Sequence, residues 1–225
     1  ERIDLSGQLA HVTRTLIKPD EVGNQDGVLD WNVSNRSTLL EGETYHLVTE
    51  YDALGRMTRL FNWHLGGTGS RVAVYEPQYN GRGLLYSEEI VVRAKKTNTD
   101  QGYAESVQTK RATAIGKIIY NAKGQKLTLA LGNGTTTTYS YDARTFRPTD
   151  LRSERATAPR GLQNLQYTYD PVGNITHIQD DAQQTIYFRN QRVEPSNDYT
   201  YDAIYRLIQA RGREHSNRRE GAGTE

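Results

Sequence analysis

The sequence predicts an all-β protein made of antiparallel β-hairpins, which repeat along the chain and form a curved sheet. Three observations support this fold class. Apolar and polar residues alternate with a period of two over most of the 225 residues. A turn motif that begins with Tyr and then Asp or Asn recurs five times. No stretch of about 12 residues shows the apolar spacing of an amphipathic helix.

The composition indicates an unusual β protein. Apolar residues make up 35% of the chain, which contains 15 Tyr, and the mean hydropathy is −0.78. Typical globular domains are more apolar. A chain this polar is expected to form an extended or hollow β structure, to be part of something larger, or to be partly disordered. Runs rich in Tyr, Thr, Val and Ile argue against disorder throughout.

Charge and residue usage exclude several classes of function. The 28 basic and 27 acidic side chains nearly cancel, so we expect no nucleic-acid partner. No apolar run approaches the roughly 18 residues of a membrane span, and no signal peptide is recognisable. The absence of Cys excludes disulfides and thiolate chemistry. Because the chain begins with Glu1 rather than Met, we expect a fragment or a processed chain.

The chain is predicted to contain three regions. Residues 1–43 hold a strand and a polar loop that leads into the repeats; the loop, 19–37, lacks alternation. A repeat β-sheet region covers 44–213, with no interior boundary, because the motif runs through it as one array. A charged, Gly-containing flexible tail follows at 214–225.

The first hairpin of the repeat region is predicted from two alternating segments, 44–51 and 57–64, which residues 52–55 connect. We expect His46 and His64 to face each other or water. The glycine-rich "LGGTGSR" that follows is interpreted as a flexible hairpin tip, because it lacks the G-K-[ST] of a phosphate-binding loop.

Further strands are predicted along the rest of the repeat region. Residues 117–142 read as three strands separated by the turns "NAKG" and "GNG". Residues 165–181 form another hairpin, and 185–190 form the next strand. Residues 153–163 are polar, lack alternation and are predicted to be a loop.

The repeated motif predicts a tight turn between strands. The Asp or Asn accepts the backbone N–H two residues further on, forming an Asx-turn, and a Gly at the fourth turn position supplies a positive φ. Two units lack this Gly, so we expect looser turns there. Residues 75–83 are a degenerate candidate for a further unit. The structural residues of the five units are Tyr51, Asp52 and Gly55; Tyr120, Asn121 and Gly124; Tyr141 and Asp142; Tyr169, Asp170, Pro171 and Gly173; and Tyr201 and Asp202.

Three units extend the motif to Tyr-x-Tyr-Asp, starting at Tyr139, Tyr167 and Tyr199. Alternation places the two Tyr of each pair on one face, so we predict an aromatic ladder across successive hairpins. Repeats of roughly 20–30 residues are typical of an array in which each hairpin completes its neighbour.

These motifs resemble a known family. "YDALGR", "YNAKGQ", "YTYDPVGN" and "YTYDAIYRL" are similar to the YD repeats of Rhs proteins, of bacterial toxin-complex B and C components and of animal teneurins. "GETYHLVTEYDALGRMTRLFNWH" and "VEPSNDYTYDAIYRLIQARGREH" are most similar to the B component of insecticidal toxin complexes (Tc toxins). The resemblance implies a β-strip that spirals into a hollow shell around a toxic C-terminal domain. It also implies other toxin-complex subunits as partners and a secreted or extracellular location.

An aspartic autoprotease is the enzymatic alternative. The family resemblance implies this alternative, because Rhs cores of the C type can release their toxin by self-cleavage near a "DPxG" motif. This chain has "DPVG" from Asp170, with Asp180 and Asp181 downstream, and a carboxylate pair can activate water. The same four residues are also the ordinary form of the repeat turn, and we interpret them as structural.

Metal binding is not expected. Residues 22–30 resemble a calcium loop with Asn24, Asp26 and Asp30 as ligands, but the first ligand position is Val22, which cannot coordinate a cation. The five His have no partners at metal-ligand spacing. We therefore predict no metal site and no cofactor.

The leading functional hypothesis is a non-enzymatic structural segment of an Rhs/YD-repeat toxin-complex protein, part of a β-shell that encapsulates a toxin domain. A second class stays open: a carbohydrate- or receptor-binding module in which exposed Tyr rings stack on sugars. Inward-facing Tyr in a shell wall would explain the same residues without a ligand.

Overall fold

The computed structural model describes residues 1–18, 36–64, 71–97, 102–188 and 191–213. Across these ranges the regular structure is antiparallel β-strand, apart from one 3-10 turn at Arg36–Leu39. The predicted all-β, antiparallel fold class is confirmed. The chain divides into two compact units, Glu1–Gly116 and Lys117–Glu225. The predicted boundaries after residues 43 and 213 stay predictions.

Several predicted features lie outside the described residues. They are most of the loop at 19–37, including the calcium-like segment 22–30; the hairpin tip after His64; and the tail at 214–225.

The strands of the first unit follow the chain in the order in which they pair. They are β1 (Arg2–Ile3), β2 (Leu9–Ile17), β3 (Leu40–Tyr51), β4 (Met57–His64), β5 (Arg71–Tyr79), β6 (Leu85–Lys96), β7 (Tyr103–Ala104) and β8 (Lys110–Tyr120). Each pairs antiparallel with the next, except that β6 pairs with both β7 and the start of β8. From Lys117 onward, β8 belongs to the second unit.

One face of the first unit carries a buried core. β3 and β4 pair so that Val48 lies opposite Phe61 and His46 opposite Trp63. Side chains alternate between faces along a strand, so these residues share a face, and valines of β5 and β6 extend it. The buried cluster consists of Val48, Phe61, Trp63, Val72, Val74, Val91 and Ala94. Burial of each large apolar side chain stabilises the fold by about 1.5–3 kcal/mol.

A β-bulge in β6 explains a break in this alternation. Val72 lies opposite Ala94, but Val74 lies opposite Val91, so β6 contains one extra residue between the two pairs. Arg93, in that interval, has a left-handed φ of 62°. The extra residue allows Val91 and Ala94, three positions apart, to enter the same core.

Two alternatives were expected for His46 and His64, and the first, that they face each other, is wrong. The β3–β4 register, set by an irregularity between Glu50 and Tyr51 next to the turn, places His46 opposite Trp63. The two rings are stacked, with centroids 5.0 Å apart and planes 7° apart. His64 lies opposite Tyr45 on the strand ladder.

The second unit begins at the end of β8 and continues with antiparallel strands. They are β9 (Lys126–Leu131), β10 (Thr136–Tyr141), β11 (Pro148–Glu154), β12 (Gly161–Tyr169), β13 (Ile175–Asp180), β14 (Ile186–Phe188), β15 (Gln191–Val193), β16 (Ser196–Tyr201) and β17 (Leu207–Arg211). β13 pairs directly with β16, while β14 and β15 form a separate two-stranded sheet. The predicted strand at 185–190 is therefore present but leaves the main sheet, and the predicted loop at 153–163 is shorter because β11 and β12 extend into it.

The Tyr of the predicted aromatic ladder alternate across the strands with aliphatic residues. Tyr139 lies opposite Leu151, Tyr167 opposite Ile178, and Tyr199 opposite Ala210. Strand alternation keeps the Tyr of each pair on one face, but the register places aliphatic residues opposite these three rings. The pairing between strands therefore decides which side chains lie opposite these rings.

The second unit has little core of its own. In its described part, only Ile118, Thr137 and Pro195 are buried. The Tyr of its main-sheet strands are half-buried, whereas Tyr187 of β14 and large apolar side chains such as Ile208 are exposed. The β-ladder and the turns therefore carry much of the order in this unit.

Candidate functional site

The candidate site is the series of tight turns that follow the Tyr positions, here called the repeat turns. In the described residues they lie at 4–7, 52–55, 80–83, 121–124, 142–146, 170–173 and 202–205. Five are the predicted units, and the turn at 80–83 is the degenerate candidate. The turn at 4–7 was not predicted from the sequence, because Ile3 stands where the motif has Tyr. The feature of the motif that remains there is Asp4, four residues before Gln8.

The turn at Asp52 shows the shared geometry. Asp52 Oδ1 accepts the backbone N–H groups of Leu54 and Arg56, both at 2.9 Å. The Gly55 N–H donates to the Asp52 carbonyl at 2.9 Å, and Gly55 has a φ of 76°. Arg56 also pairs with Asp52 Oδ2 at 2.6 Å. Hydrogen bonds from the backbone and side chain of Arg56 hold the pKa of Asp52 below its usual value.

The other turns repeat this pattern with Asp or Asn. Asn80 and Asn121 Oδ1 each accept two backbone N–H groups, as Asp52 does. Asp4 Oδ1 accepts the N–H groups of Ser6 and Gln8, both at 2.9 Å. The side chain thus supplies an acceptor in the turn whether or not it is charged.

The two turns without Gly differ from each other. Asp202 accepts the N–H groups of Ile204 and Arg206 at 3.0 and 2.9 Å, so this turn is as tight as that at Asp52. Its fourth residue, Tyr205, adopts the left-handed conformation with a φ of 65°. The turn at Asp142 is longer by one residue, and Phe146 takes the left-handed position with a φ of 59°. The prediction of a looser turn is therefore wrong at Asp202, where a non-Gly residue accepts the strained φ.

Side chains connect successive repeat turns. The residue after the left-handed position, here called the linking residue, reaches the next turn in several cases. Gln8 Nε2 donates to the Gly55 carbonyl at 2.9 Å, and Gln125 Nε2 donates to the Phe146 carbonyl at 2.7 Å. Arg147 donates to the carbonyls in the following turn, at 3.3 Å to Asp170 and 2.9 Å to Val172.

In five of the repeat turns, the preceding Tyr uses one of two contacts, according to the linking residue of the turn before it. After a linking residue with an amide side chain, the Tyr hydroxyl donates to the backbone carbonyl of the residue that follows the linking residue. The three cases are Tyr51 to Leu9 after Gln8 at 3.1 Å, Tyr141 to Lys126 after Gln125 at 2.8 Å, and Tyr201 to Ile175 after Asn174 at 2.9 Å.

After an Arg linking residue, the guanidinium lies over the following Tyr ring. Arg56 lies 4.9 Å from the centroid of Tyr79, and Arg147 lies 5.6 Å from that of Tyr169. The Tyr of the motif is therefore both a packing ring and a connector between hairpins. Sequence reasoning missed this pairing, although the linking residue and the next Tyr are both readable in the sequence.

The Gly of a repeat turn is needed for two reasons. It adopts the positive φ, and in three turns a Cβ at this position would meet the linking residue of the preceding turn. At Gly55 that Cβ would lie 2.8 Å from Gln8 Nε2, and at Gly83 it would lie 3.3 Å from an Arg56 terminal nitrogen. At Gly173 it would overlap the Arg147 guanidinium. Close approach therefore adds to the conformational reason.

The carboxylates considered for self-cleavage are not brought together. Asp170 Oδ1 accepts N–H groups of Gly173 and Asn174 within its own turn. Burial opposes ionisation, but the hydrogen bonds from Asn174 and the turn backbone hold the Asp170 pKa below its usual value. Asp180 lies opposite Leu165, at the other end of the β12–β13 hairpin. Pro171 occupies the second turn position and presets its φ.

Among the described residues, no group of three His, Cys, Asp or Glu side chains is placed to hold a metal ion. No described helix has the length and apolar character needed to cross a membrane.

Comparison with known proteins relates this chain to toxin subunits. No family model matches it. Toxin subunit YenC2 of Yersinia entomophaga is 35% identical over 221 residues, and Toxin subunit YenC1 of the same organism is 38% identical over 195 residues. The matches cover 95% and 84% of this chain but 20% and 18% of those subunits. The chain therefore spans about a fifth of the length of the curated relatives that it matches.

Solved structures agree with this relationship. The crystal structure of TcdB2-TccC3-Cdc42 is similar, with 27% identity and a TM-score of 0.66 over 92% of this chain and 9% of that one. The structure of the Photorhabdus luminescens Tc holotoxin pore is similar with 27% identity and a TM-score of 0.65, over 92% of this chain and 8% of that one. The names of both curated relatives, YenC1 and YenC2, contain the letter C and not B. The narrower likeness to the B component therefore stays a prediction. The chain is related to a segment of the Tc toxin subunits.

Proposed function

We propose that this chain is a non-enzymatic wall segment of a Tc toxin subunit and that the wall encloses a toxin domain. The observation that carries the proposal is the connection of successive repeat turns by their linking residues and Tyr side chains. Such connections hold each hairpin against the next and require no substrate. They support a role in which the repeated unit is the functional element.

The sparse core of the second unit supports a role within a larger structure. Its described part buries few side chains, although Ile208 and Leu207 are apolar and exposed. Consecutive strand residues point to opposite faces, so each face of β17 exposes an apolar side chain, as expected of a strand that another part of a protein covers. The relatives are about five times longer than this chain, so further chain is available in them to do so.

The hydrogen bonding of the turn carboxylates supports a structural role for them. Asp52 and Asp170 each accept several hydrogen bonds in their own turns, and their pKa values are held below the usual value. A general base or acid near neutral pH requires a raised carboxyl pKa. These Asp residues therefore suit turn formation better than proton transfer.

The proposed partners are the other subunits of a toxin complex, and the proposed location is outside the producing cell. Carbohydrate or receptor binding by the Tyr face is the weaker candidate. The hydroxyls of Tyr51, Tyr141 and Tyr201 already donate within the chain, and Arg56 and Arg147 lie over the rings of two others. A glycan array with the 225-residue chain tests this candidate, since saturable binding that Tyr199→Ala abolishes would support it.

A segment exchange tests the wall proposal. The part of YenC2 that aligns with this chain is replaced by the 225-residue chain, and the chimera is digested with protease beside unmodified YenC2. We expect the chimera to assemble with partner subunits and to protect the same fragments. A control chimera with Gly55→Ala and Gly173→Ala should be digested faster, because two repeat turns are disturbed.

The outcomes separate the two parts of the proposal. An assembled chimera whose interior domain is digested as fast as the free domain would overturn enclosure but leave the subunit role intact. A chimera that folds, as judged by circular dichroism, but fails to assemble would overturn the subunit role.

A further inference from the structure

A cleft in the first unit lies on the sheet face opposite the buried core. It has a volume of about 470 Å³ and is lined by side chains of β2, β3, β4, β5 and β6. Val12 lies opposite Leu47, and Arg14 lies opposite Tyr45, on positions that alternate with the core residues Val48 and Trp63. The lining also includes His46 and the core residues Trp63 and Val72, and it includes no residue of the repeat turns.

Short side chains in one cross-strand row create the depression. Leu47 of β3 lies opposite Asn62 of β4, and Asn62 lies opposite Ala73 of β5. Ala73 is small, so the row dips between the longer residues on its two sides. The floor is aliphatic, from Val12, Leu47 and Ala73, and the Asn62 amide is its polar group.

Three arginines surround this floor. Arg14, Arg71 and Arg93 line the cleft and are exposed. Within the described residues, none of the three has a carboxylate at ion-pair distance. Arg side chains elsewhere in the same unit, such as Arg59 and Arg111, pair with Glu76.

The placement of positive charge here opposes folding. Arg71 lies directly opposite Lys95 in the β5–β6 ladder, and like charges in this position are destabilising. The bulge in β6 moves Arg93 onto this side of the sheet in a left-handed conformation. Two unfavourable features thus bring cations to one cleft. Departures of this kind from local rules are typical of binding sites.

Two described carboxylates, Glu41 and Glu43, lie close enough to act on Tyr45 at the cleft, fewer than the cations there. Glu43 Oε2 accepts the Tyr45 hydroxyl at 3.1 Å. This hydrogen bond and the Glu43 charge raise the Tyr45 pKa, so Tyr45 stays neutral. With Lys95 beside the three arginines, the cleft carries an excess of positive charge.

We propose that this cleft binds an acidic segment of a partner polypeptide, in which a carboxylate side chain neighbours an aliphatic one. The guanidinium groups would hold the carboxylate by paired hydrogen bonds, and the aliphatic floor would cover the neighbouring side chain. A saccharide suits the cleft less well, because its hydroxyls would lie on Val12, Leu47 and Ala73. The proposal does not depend on the enclosure of a toxin.

Binding is tested with the 225-residue chain and a fluorescein-labelled octapeptide of alternating glutamate and leucine. We expect saturable fluorescence anisotropy that weakens as salt rises, because exposed charges are screened. Arg71→Gln with Arg93→Gln should weaken binding by about tenfold or more, since two charge-assisted contacts are lost. The matched control, Arg144→Gln with Arg160→Gln, removes the same charge from exposed positions of the second unit and should change affinity less than about twofold.

Charge reversal and competing probes complete the test. Arg71→Glu should also lose the acidic peptide, and its melting temperature should not fall, because the like-charge pair with Lys95 is removed. A glutamine–leucine peptide that binds equally well would overturn the role of charge. An oligoglucuronate that binds while the acidic peptide does not, or equal loss in the control variant, would overturn the proposal.

Discussion

The left-handed residue of a repeat turn is sensitive to substitution where a neighbouring side chain also approaches it. Gly173 combines a φ of 113° with the close approach of Arg147. Gly173→Ala is expected to lower the free energy of unfolding by about 2–3 kcal/mol, because backbone strain and displacement of Arg147 add together. Gly42→Ala is the control, since a Cβ there meets nothing within 4 Å. Urea denaturation of both variants measures the difference, and equal midpoints would contradict it.

The turn carboxylates make stability depend on acid pH. The folded pKa of Asp52 lies below its unfolded value of about 3.9, so its stabilisation is complete above that value and is lost as pH falls through the folded pKa. Asp142 and Asp202 are shifted in the same direction, by backbone hydrogen bonds from Thr145 and Arg206 respectively. The urea midpoint should therefore fall steadily as pH drops below about 4.

Asp52→Asn isolates one contribution to this pH dependence. The amide keeps an acceptor for Leu54 and Arg56, as Asn121 does in its own turn, but it cannot titrate. We expect a lower midpoint than wild type at pH 7, where the Arg56 ion pair is lost, and a smaller fall between pH 4 and pH 2. An unchanged acid slope would show that Asp52 does not contribute.

At the scale of elements, the two kinds of Tyr contact predict different responses to the same substitution. Tyr201→Phe removes a hydrogen bond to Ile175 and should destabilise by about 1 kcal/mol. Tyr169→Phe keeps the ring under Arg147 and should change stability by less than about 0.5 kcal/mol. Thermal or urea unfolding of the two variants compares them directly. Equal losses would contradict the assignment of separate contacts.

The turn at Asp202 offers a gain in stability. Tyr205 holds a positive φ that Gly adopts readily, and its side chain is exposed. Tyr205→Gly is expected to stabilise the chain by about 0.5–1 kcal/mol, as strain relief exceeds the added freedom of the unfolded chain. The urea midpoint should rise. A fall would indicate that the Tyr205 ring contributes packing of its own.

At the scale of the whole molecule, burial is uneven. Phe61, Val74 and Val91 are almost fully buried in the first unit, whereas every residue of β17 is exposed. Amide hydrogen exchange should therefore be slowest in β4, β5 and β6 and fastest in β17, because local opening is easiest where few side chains are buried. Mass-spectrometric exchange on the 225-residue chain measures this order. Protection in β17 equal to that in β5 would contradict it.

Local residues determined the parts of the structure that depend on a few neighbours in the chain. The alternation of apolar residues predicted the strands, and Asp or Asn followed by Gly predicted the repeat turns, because the bonds of such a turn join residues within five positions. The first hairpin from Tyr45 to Trp63 was predicted for the same reason. The toxin-complex relationship was also readable from these motifs.

Tertiary structure decided the features that depend on distant residues. The stacking of His46 on Trp63, the bulge at Arg93 and the aliphatic neighbours of Tyr139 and Tyr167 all follow from strand register, which no single segment specifies. The turn at Asp202 stays tight without Gly because its hydrogen bonds compensate the strain at Tyr205. By itself the sequence determined hairpins and turns, since local hydrogen bonds and side-chain period suffice for them. Which side chains contact one another was determined only by the pairing between strands, because such contacts join segments that are far apart in the chain.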